Sequence, residues 1–317
     1  MPDSMSAKEK PDGQLLRRAA GCLAGVAVGD ALGGPLEGYE AERITDPFVQ
    51  LREMTGGGSK GLAPGDTSDD TAHTRILAES IVACSRVDPS DLAARLADWF
   101  RYDGFGIGRH TESVLARIAE GEDWEQAALE VQAAWPESAG NGSLMRCAPV
   151  ALLRYTELEL LVEESRLSSR VTHPHSFCQW SCVFINLLLA KLLTGETPAR
   201  SFESVFAYCS NREDFPLPVL ERADRARSQQ AGEDLNPSGY VLDSLECSLW
   251  AFLHYRNFEH TLVAAVNLGG DADTIGAITG ALAGAAYGLH AIPGRWLVHV
   301  SGWPQLQDLA GDIIKLA

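Results

Sequence analysis

Glycine recurs at every fourth position in two stretches of this sequence: Gly21, Gly25, Gly29 and Gly33 near one end, and Gly276, Gly280, Gly284 and Gly288 near the other. In a helix, that spacing lines the four glycines along one face. Each glycine costs a helix about 1 kcal/mol relative to alanine, so eight of them need an offset. The available offset is close approach, because a face without side chains lets another backbone lie directly on it. The pattern predicts two long helices packed at short range, with each other as the simplest partner.

The rest of the chain reads as helix too. Leu15, Ala19, Cys22, Leu23 and Val26 share one face, as do Ile76, Leu77, Ile81 and Cys84. Leu92, Leu96, Trp99 and Phe100 repeat the pattern behind the start signal Asp88-Pro-Ser-Asp. Further helices are expected near 112–120, 123–134, 143–154, 157–171, 177–193, 201–209, 217–231, 240–255, 258–267, 274–288 and 305–316. Alternating strand-like runs are almost absent. The expectation is an all-α, compact multi-helix domain over residues 13–317, after a disordered tail at 1–12.

Charge narrows the partners. The 317 residues carry a formal net charge of -17, which repels phosphate backbones and argues against direct nucleic-acid binding. The first dozen residues, MPDSMSAKEKPD, lack the apolar stretch of a secretory leader. No apolar run is expected to reach membrane-spanning length. Seven cysteines without a CxxC lie mostly inside apolar helical patterns, as reduced core thiols do. A cytoplasmic monomer is expected.

Two acidic clusters open helices. Ser68-Asp69-Asp70-Thr71 follows the glycine-rich stretch 56–65, and Asp271-Ala-Asp273-Thr274 follows Asn267-Leu-Gly-Gly. An acidic residue at a helix start is ordinarily a cap, and a cap needs one oxygen. Each cluster offers two carboxylates and a hydroxyl, behind glycines that let the backbone come close to a ligand. If the clusters meet, four carboxylates share a small volume. At about 4 Å and an effective dielectric near 20, each like-charge pair costs about 4 kcal/mol. Such a group stays ionised only when cations neutralise it. Hard oxygen donors favour Mg²⁺, Mn²⁺ or Ca²⁺ over Zn²⁺. Paired caps and a cation cage both remain open on spacing alone.

Five segments carry a resemblance: GCLAGVAVGDALGGPLEG at 21–38, GGGSKGLAPGDTSDDTAHT at 56–74, SAGNGSLMRCAPVAL at 138–152, THPH at 172–175 and NLGGDADTIGAITGALAGAAYG at 267–288. Together, and in this order, they resemble the ADP-ribosylglycohydrolase family. The resemblance implies an orthogonal all-α bundle holding two divalent cations, Mg²⁺ or Mn²⁺. It implies Ser68, Asp69, Asp70, Asp271, Asp273 and Thr274 as metal ligands. Glu37, Asp69 and Asp273 would be catalytic, and Gly108, Ser138, Gly140, Asn141 and His173 would contact substrate. The implied reaction is hydrolysis of the N- or O-glycosidic bond between ADP-ribose and a modified acceptor, releasing ADP-ribose. Protein arginine is the first expected acceptor, and an ADP-ribosylated protein or small molecule the expected partner.

Two positions depart from the family pattern. Thr67 stands where relatives often have an aromatic residue, and Phe105-Gly-Ile-Gly108 stands where many have Phe-Asp-Ile-Gly. That aspartate is a proposed catalytic group in arginine-specific relatives, so the arginine linkage lacks it here; Asp103 would replace it only through a rearranged loop. The turn before Arg109, His110 and Thr111 reads as an ordinary helix start or as a diphosphate cradle. Tyr102 and Phe105 read as core residues or adenine platforms. Two other readings use the same residues: an inactive ADP-ribose-binding or crystallin-like structural protein, and a two-metal phosphohydrolase.

Overall fold

The two glycine faces lie against each other. A Cβ built on Gly25 would stand 2.1 Å from the Gly280 carbonyl oxygen, and one on Gly29 would stand 1.9 Å from that of Gly276. Gly21 meets Gly284 in the same way, and Gly33 meets Ala272, so the helices run antiparallel. Gly288, the last glycine of the second stretch, has φ +79° and ends its helix instead of extending the stripe.

The computed structural model describes residues 12–39, 50–229 and 234–317. Apart from Asp12, the expected tail lies outside the described residues, as does the expected helical extension to 231. Asp12 accepts a hydrogen bond from the Gln14 amide and caps the first helix. Among the described residues there are fifteen α-helices, and the only β pairings are two isolated bridges. They are α1 (Gly13–Gly33), α2 (Asp69–Cys84), α3 (Pro89–Tyr102), α4 (Arg109–Ala119) and α5 (Trp124–Ala134). Next come α6 (Ala148–Arg154), α7 (Leu158–Arg170), α8 (Ser176–Leu193), α9 (Pro198–Ser210) and α10 (Leu217–Ser228). The series ends with α11 (Val241–His254), α12 (Phe258–Val266), α13 (Ala272–Tyr287), α14 (Gly294–Leu297) and α15 (Trp303–Leu316).

The α1–α13 pair is the axis of the core. Both helices are buried on every side over most of their length, as a helix apolar all round must be. α8, α11, α12 and α15 pack around them. Two segments, Gly13–Leu36 and Ser176–Leu193, are long and apolar enough to cross a membrane by length and composition, contrary to the sequence expectation. The core uses up that apolar surface: 94% and 83% of the respective windows are buried inside the fold. All seven cysteines are free, and only Cys84 is not fully buried.

One expected helix is shorter than its periodicity suggested. The run 143–154 becomes helical only at Ala148, with Pro149 in its first turn. Pro at that position needs no amide partner. The preceding residues make turns instead, with the Leu144 and Met145 amides both bonding to the Asn141 carbonyl.

Candidate active site

Three helices deliver carboxylates to one place. Asp30 comes from the last turn of α1, Asp69 and Asp70 from the first turn of α2, and Asp271 and Asp273 from the start of α13. The glycine stripe sets the approach, since Gly29 and Gly33 flank Asp30 and Gly33 rests on Ala272, next to Asp273. One oxygen from each of Asp30, Asp70 and Asp273 lies within 4.8 Å of the others, and Glu37, Asp271 and Asp273 form a second such group. Asp273 belongs to both. The two sequence clusters therefore meet, and Thr274 Oγ1 stands 3.4 Å from Asp70 Oδ2.

Asp30 was not assigned from sequence. It is fully buried and caps α2 from another helix, accepting from the Ser68 amide at 3.0 Å, the Thr71 amide at 3.1 Å and the Thr71 hydroxyl at 2.5 Å. The available signal was an acidic residue inside an otherwise apolar, glycine-striped helix. Lys60 was missed as well, although it is the lone lysine between Arg52 and Arg75. Its Nζ sits 2.6 Å from Glu37 Oε2 and 3.3 Å from Asp273 Oδ2. Burial works against the ammonium, but Asp273 and Glu37 outweigh it and hold Lys60 above the ordinary lysine range.

The loops are tied at the backbone. Gly38 donates to the Gly270 carbonyl at 2.7 Å, and Gly270 donates to the Tyr39 carbonyl at 2.8 Å, which brings Glu37 toward Asp271. Gly270 has φ +61°, and a Cβ there would meet the Pro237 oxygen at 1.7 Å. The glycine before Asp271 thus serves a turn and backbone packing, where the sequence suggested room for a ligand. Asn141 Nδ2 donates to Asp271 Oδ2 at 2.6 Å and to Ser244 Oγ at 2.8 Å, so it aims that carboxylate.

A cleft of about 300 Å³ opens over the carboxylates. Glu37, Asp69, Asp70, Asp271, Asp273, Thr274, Gly108, Gly140, Asn141 and His173 all line it, together with Lys60 and Arg109. Two expected site residues do not. Ser68 is buried behind Asp70, to which its hydroxyl donates at 2.9 Å. Ser138 bonds to His110 Nδ1 at 2.9 Å and stands behind the wall. Gly108 is the N-cap of α4 and makes no side-chain cap, so the first-turn amides lack a side-chain acceptor there, and Arg109, His110 and Thr111 of that turn line the cleft. Tyr102 and Phe105 are exposed and not core residues. Asp103 is also exposed and absent from the cleft wall. Gly106 has φ +92°, and a Cβ there would meet Asp69 Oδ1 at 2.7 Å. A side chain at Gly106 would therefore press on the Asp69 carboxylate in this loop conformation.

The electrostatics show what the site wants. Burial, then the neighbouring Asp273, pushes Asp30 and Asp69 up to about 7 and Asp271 up to about 8, from 3.8. Asp70 is raised well above its ordinary value by burial and then Asp30. Its Oδ1 is buried without a hydrogen-bond partner among the described residues. An orphaned carboxylate oxygen amid hard oxygen donors fits divalent cations of the Mg²⁺ and Mn²⁺ class. The oxygens close enough together to hold them are those of Asp30, Asp70 and Asp273 and those of Glu37, Asp271 and Asp273, while Asp69 and Thr274 line the same cleft.

A pH dependence follows for the metal-free protein. These carboxylates have folded values above their unfolded ones, so below about pH 4 both states are protonated and the cluster does no harm. As pH rises toward 8 the unfolded chain releases its protons first, and stability is lost. With EDTA present, Tm is expected to fall by several degrees between pH 5 and pH 8 in scanning calorimetry, and Mn²⁺ is expected to abolish the fall. An unchanged Tm in EDTA across that range would contradict the clustering.

Residues 11–317 match the sequence model of the ADP-ribosylglycohydrolase family. The ADP-ribosylarginine hydrolase Tri1 of Serratia proteamaculans (strain 568) is 31% identical over 97% of this chain and 81% of its own length. The ADP-ribosyl-[dinitrogen reductase] glycohydrolase of Rhodospirillum rubrum is 31% identical over 88% of this chain and 89% of its own. A solved structure titled ADP-ribosylglycohydrolase-related protein complex superposes with a TM-score of 0.80 at 35% identity, covering 96% of this chain and 99% of that one.

Proposed function

The chain belongs to the ADP-ribosylglycohydrolase family, and on that premise we propose that it uses two divalent cations, Mg²⁺ or Mn²⁺, to hydrolyse the bond between ADP-ribose and an arginine side chain. The carrying observation is the pair of carboxylate groups that share Asp273 beneath an open polar cleft. The family makes it a glycosidic-bond hydrolase. The arginine acceptor is supported by the similarity to the Serratia ADP-ribosylarginine hydrolase. Its expected substrates are ADP-ribosylated proteins in a reducing, cytoplasmic setting, for which seven unbridged cysteines are the support.

In the reaction, the bond from the ribose anomeric carbon to the acceptor nitrogen breaks, water supplies a hydroxyl to that carbon, and the remaining proton goes to the leaving group. Positive charge builds on the sugar as the bond opens. Cations held by Asp30, Asp70, Asp271 and Asp273 would supply Lewis acidity to the reaction. The chain's own residues do the rest. Glu37 stands at the cleft beside the carboxylates, with its own value raised by burial and then Asp273. That places it to take a proton from water and return one to the leaving nitrogen. Asn141 holds Asp271 in place, and the free amides of α4 face the diphosphate end. Glu37→Gln is expected to lower kcat about a hundredfold or more while Mn²⁺ affinity changes little; a kcat within twofold of the unmodified chain would remove Glu37 from the chemistry.

Lys60 occupies part of the same electrostatic niche. Its ammonium is paired to Glu37 and Asp273, so an incoming cation must displace it. Lys60→Met is expected to bind Mn²⁺ about tenfold more tightly by calorimetric titration. Weaker binding in the variant would show that Lys60 supports the site and does not compete for it.

The product assay tests the function. The protein is incubated with ADP-ribosylated arginine, ADP-ribosylated serine and free ADP-ribose, with Mn²⁺ and with EDTA. Free ADP-ribose released from the arginine substrate, only with metal, is the expected result. Release from serine alone would reassign the acceptor. Release of AMP or phosphate, or saturable ADP-ribose binding without product, would reject the hydrolase reading.

A further inference from the structure

We infer that Thr172, clamped by Arg146, fixes the tautomer of His173 so that its Nε2–H faces the cleft as a hydrogen-bond donor to an acceptor oxygen of the ADP-ribosyl group. The ligand rests on the function proposed above, while the tautomer rests on hydrogen-bond logic alone.

Arg146 is 1% exposed. Its Nη1 donates to the Gly142 carbonyl at 2.8 Å, and its Nη2 donates to the Ser168 carbonyl at 3.2 Å and to Thr172 Oγ1 at 2.8 Å. A guanidinium only donates, so Thr172 Oγ1 is the acceptor in that bond. The threonine's own hydrogen must go elsewhere, and the residue is fully buried. Its other partner is His173 Nδ1 at 2.8 Å. Thr172 therefore donates to Nδ1, Nδ1 carries no proton, and the ring proton sits on Nε2. The opposite tautomer would strand a buried hydroxyl hydrogen without an acceptor, which folded proteins avoid.

A second imidazole obeys the same logic. His110 Nε2 is 3.0 Å from the Thr172 carbonyl oxygen, which cannot donate, so His110 carries its proton on Nε2 and accepts from Ser138 on Nδ1. The two rings stack with centroids 4.9 Å apart. Burial, then His110 and Arg146, hold His173 well below the ordinary histidine range, so the ring is neutral. A neutral ring with a fixed tautomer is a directed donor.

The cleft side of the ring is kept open by missing side chains. A Cβ on Gly142 would stand 2.8 Å from His173 Cε1, and one on Gly140 would stand 3.5 Å from Nε2. Nε2 makes no hydrogen bond among the described residues, and His173 lines the cleft although it is only 2% exposed. Arg146 and Thr172 are thus positioning residues: they touch no substrate but spare His173 any reorganisation when an acceptor oxygen arrives. Sequence reading singled out His173 and the Gly140-Asn-Gly142 loop but not this relay.

The test is nitrogen NMR on the full chain labelled with ¹⁵N-histidine, without substrate, with the His173 signals identified by their loss in His173→Gln. The expected spectrum shows a pyrrole-type Nε2 and a pyridine-type Nδ1. In Thr172→Val that pattern should be lost and the Kd for ADP-ribose should rise about tenfold, with Mn²⁺ affinity unchanged; Thr172→Ser should restore both. A protonated Nδ1 or an imidazolium in the unmodified protein would overturn the proposal. So would a valine variant that binds ADP-ribose as the unmodified protein does. Should the valine variant not fold, the spectrum of the unmodified protein still decides. Because it is recorded without substrate, its result stands apart from any failure of ADP-ribosyl hydrolysis.

Discussion

Asp273→Asn is expected to lose metal and hydrolysis together while making the metal-free protein more heat-stable at pH 8. Asp273 is the one carboxylate common to both oxygen groups. It is also among the charges that raise Asp30, Glu37, Asp69, Asp70 and Asp271. Removing it takes an oxygen anion from both carboxylate groups, so Mn²⁺ affinity should fall at least about a hundredfold and the hydrolysis rate at least about a thousandfold. The asparagine oxygen can keep the bond that Oδ1 accepts from the Thr274 amide at 2.9 Å, so the helix start survives. Without metal, one like charge fewer in a buried group relieves repulsion of order a few kcal/mol. A purely structural Asp273 would give the opposite pattern, with lower Tm and intact metal binding. Calorimetry with and without Mn²⁺, run beside the product assay, separates the two.

The largest effect on stability is expected from Gly280→Leu, which should not fold. A Cβ at this position would lie 2.0 Å from the Gly25 carbonyl oxygen and 2.7 Å from its carbon. Those atoms are backbone, so no rotamer change relieves the contact. Overpacking an ordinary core site costs about 1–3 kcal/mol because side chains give way; here α1 and α13 must separate along the whole stripe. Separation would also carry Asp30 away from Asp273, since Asp30 follows Gly29 on α1 and the Asp273 backbone lies against Gly33. Even Gly280→Ala is expected to lose more than about 4 kcal/mol in urea unfolding, beyond the usual range for one substitution. Gly311→Ala is the control. Gly311 lies in α15 with nothing within 4 Å of its missing Cβ, so that variant should be neutral or stabilised by up to about 1 kcal/mol. A Gly280→Leu protein with wild-type Tm would remove the packing argument.

The fold was legible because helix signals here are local. Periodicity located α3, α8 and α13 to within a few residues, and the two stripes identified their own partner through shape. Segment 143–154 misled because its apolar residues are buried by turns as well as by helix. A buried turn and a buried helix share composition, and only hydrogen bonding separates them.

The site was half legible. The clusters at 68–71 and 271–274 stood out because each offered more oxygen than a cap requires. Asp30 was hidden because it caps α2 from α1, across 38 residues of chain. Lys60 was hidden because a single lysine in a glycine-rich loop has no pattern to break. Ser68 and Ser138 were singled out from sequence as a metal ligand and a substrate contact, yet they face inward, toward Asp70 and His110. Which way a side chain faces depends on tertiary partners that no local motif records. The same holds for Arg146, whose bonds to Gly142, Ser168 and Thr172 join three segments of chain.

The most direct test is a crystal grown with Mn²⁺ and measured at the manganese absorption edge. Two anomalous peaks about 3.5–4 Å apart, bounded by oxygens of Asp69, Asp70, Asp271 and Asp273, are the expected result. A map without peaks at these carboxylates, from protein that still releases ADP-ribose, would contradict the account at its root.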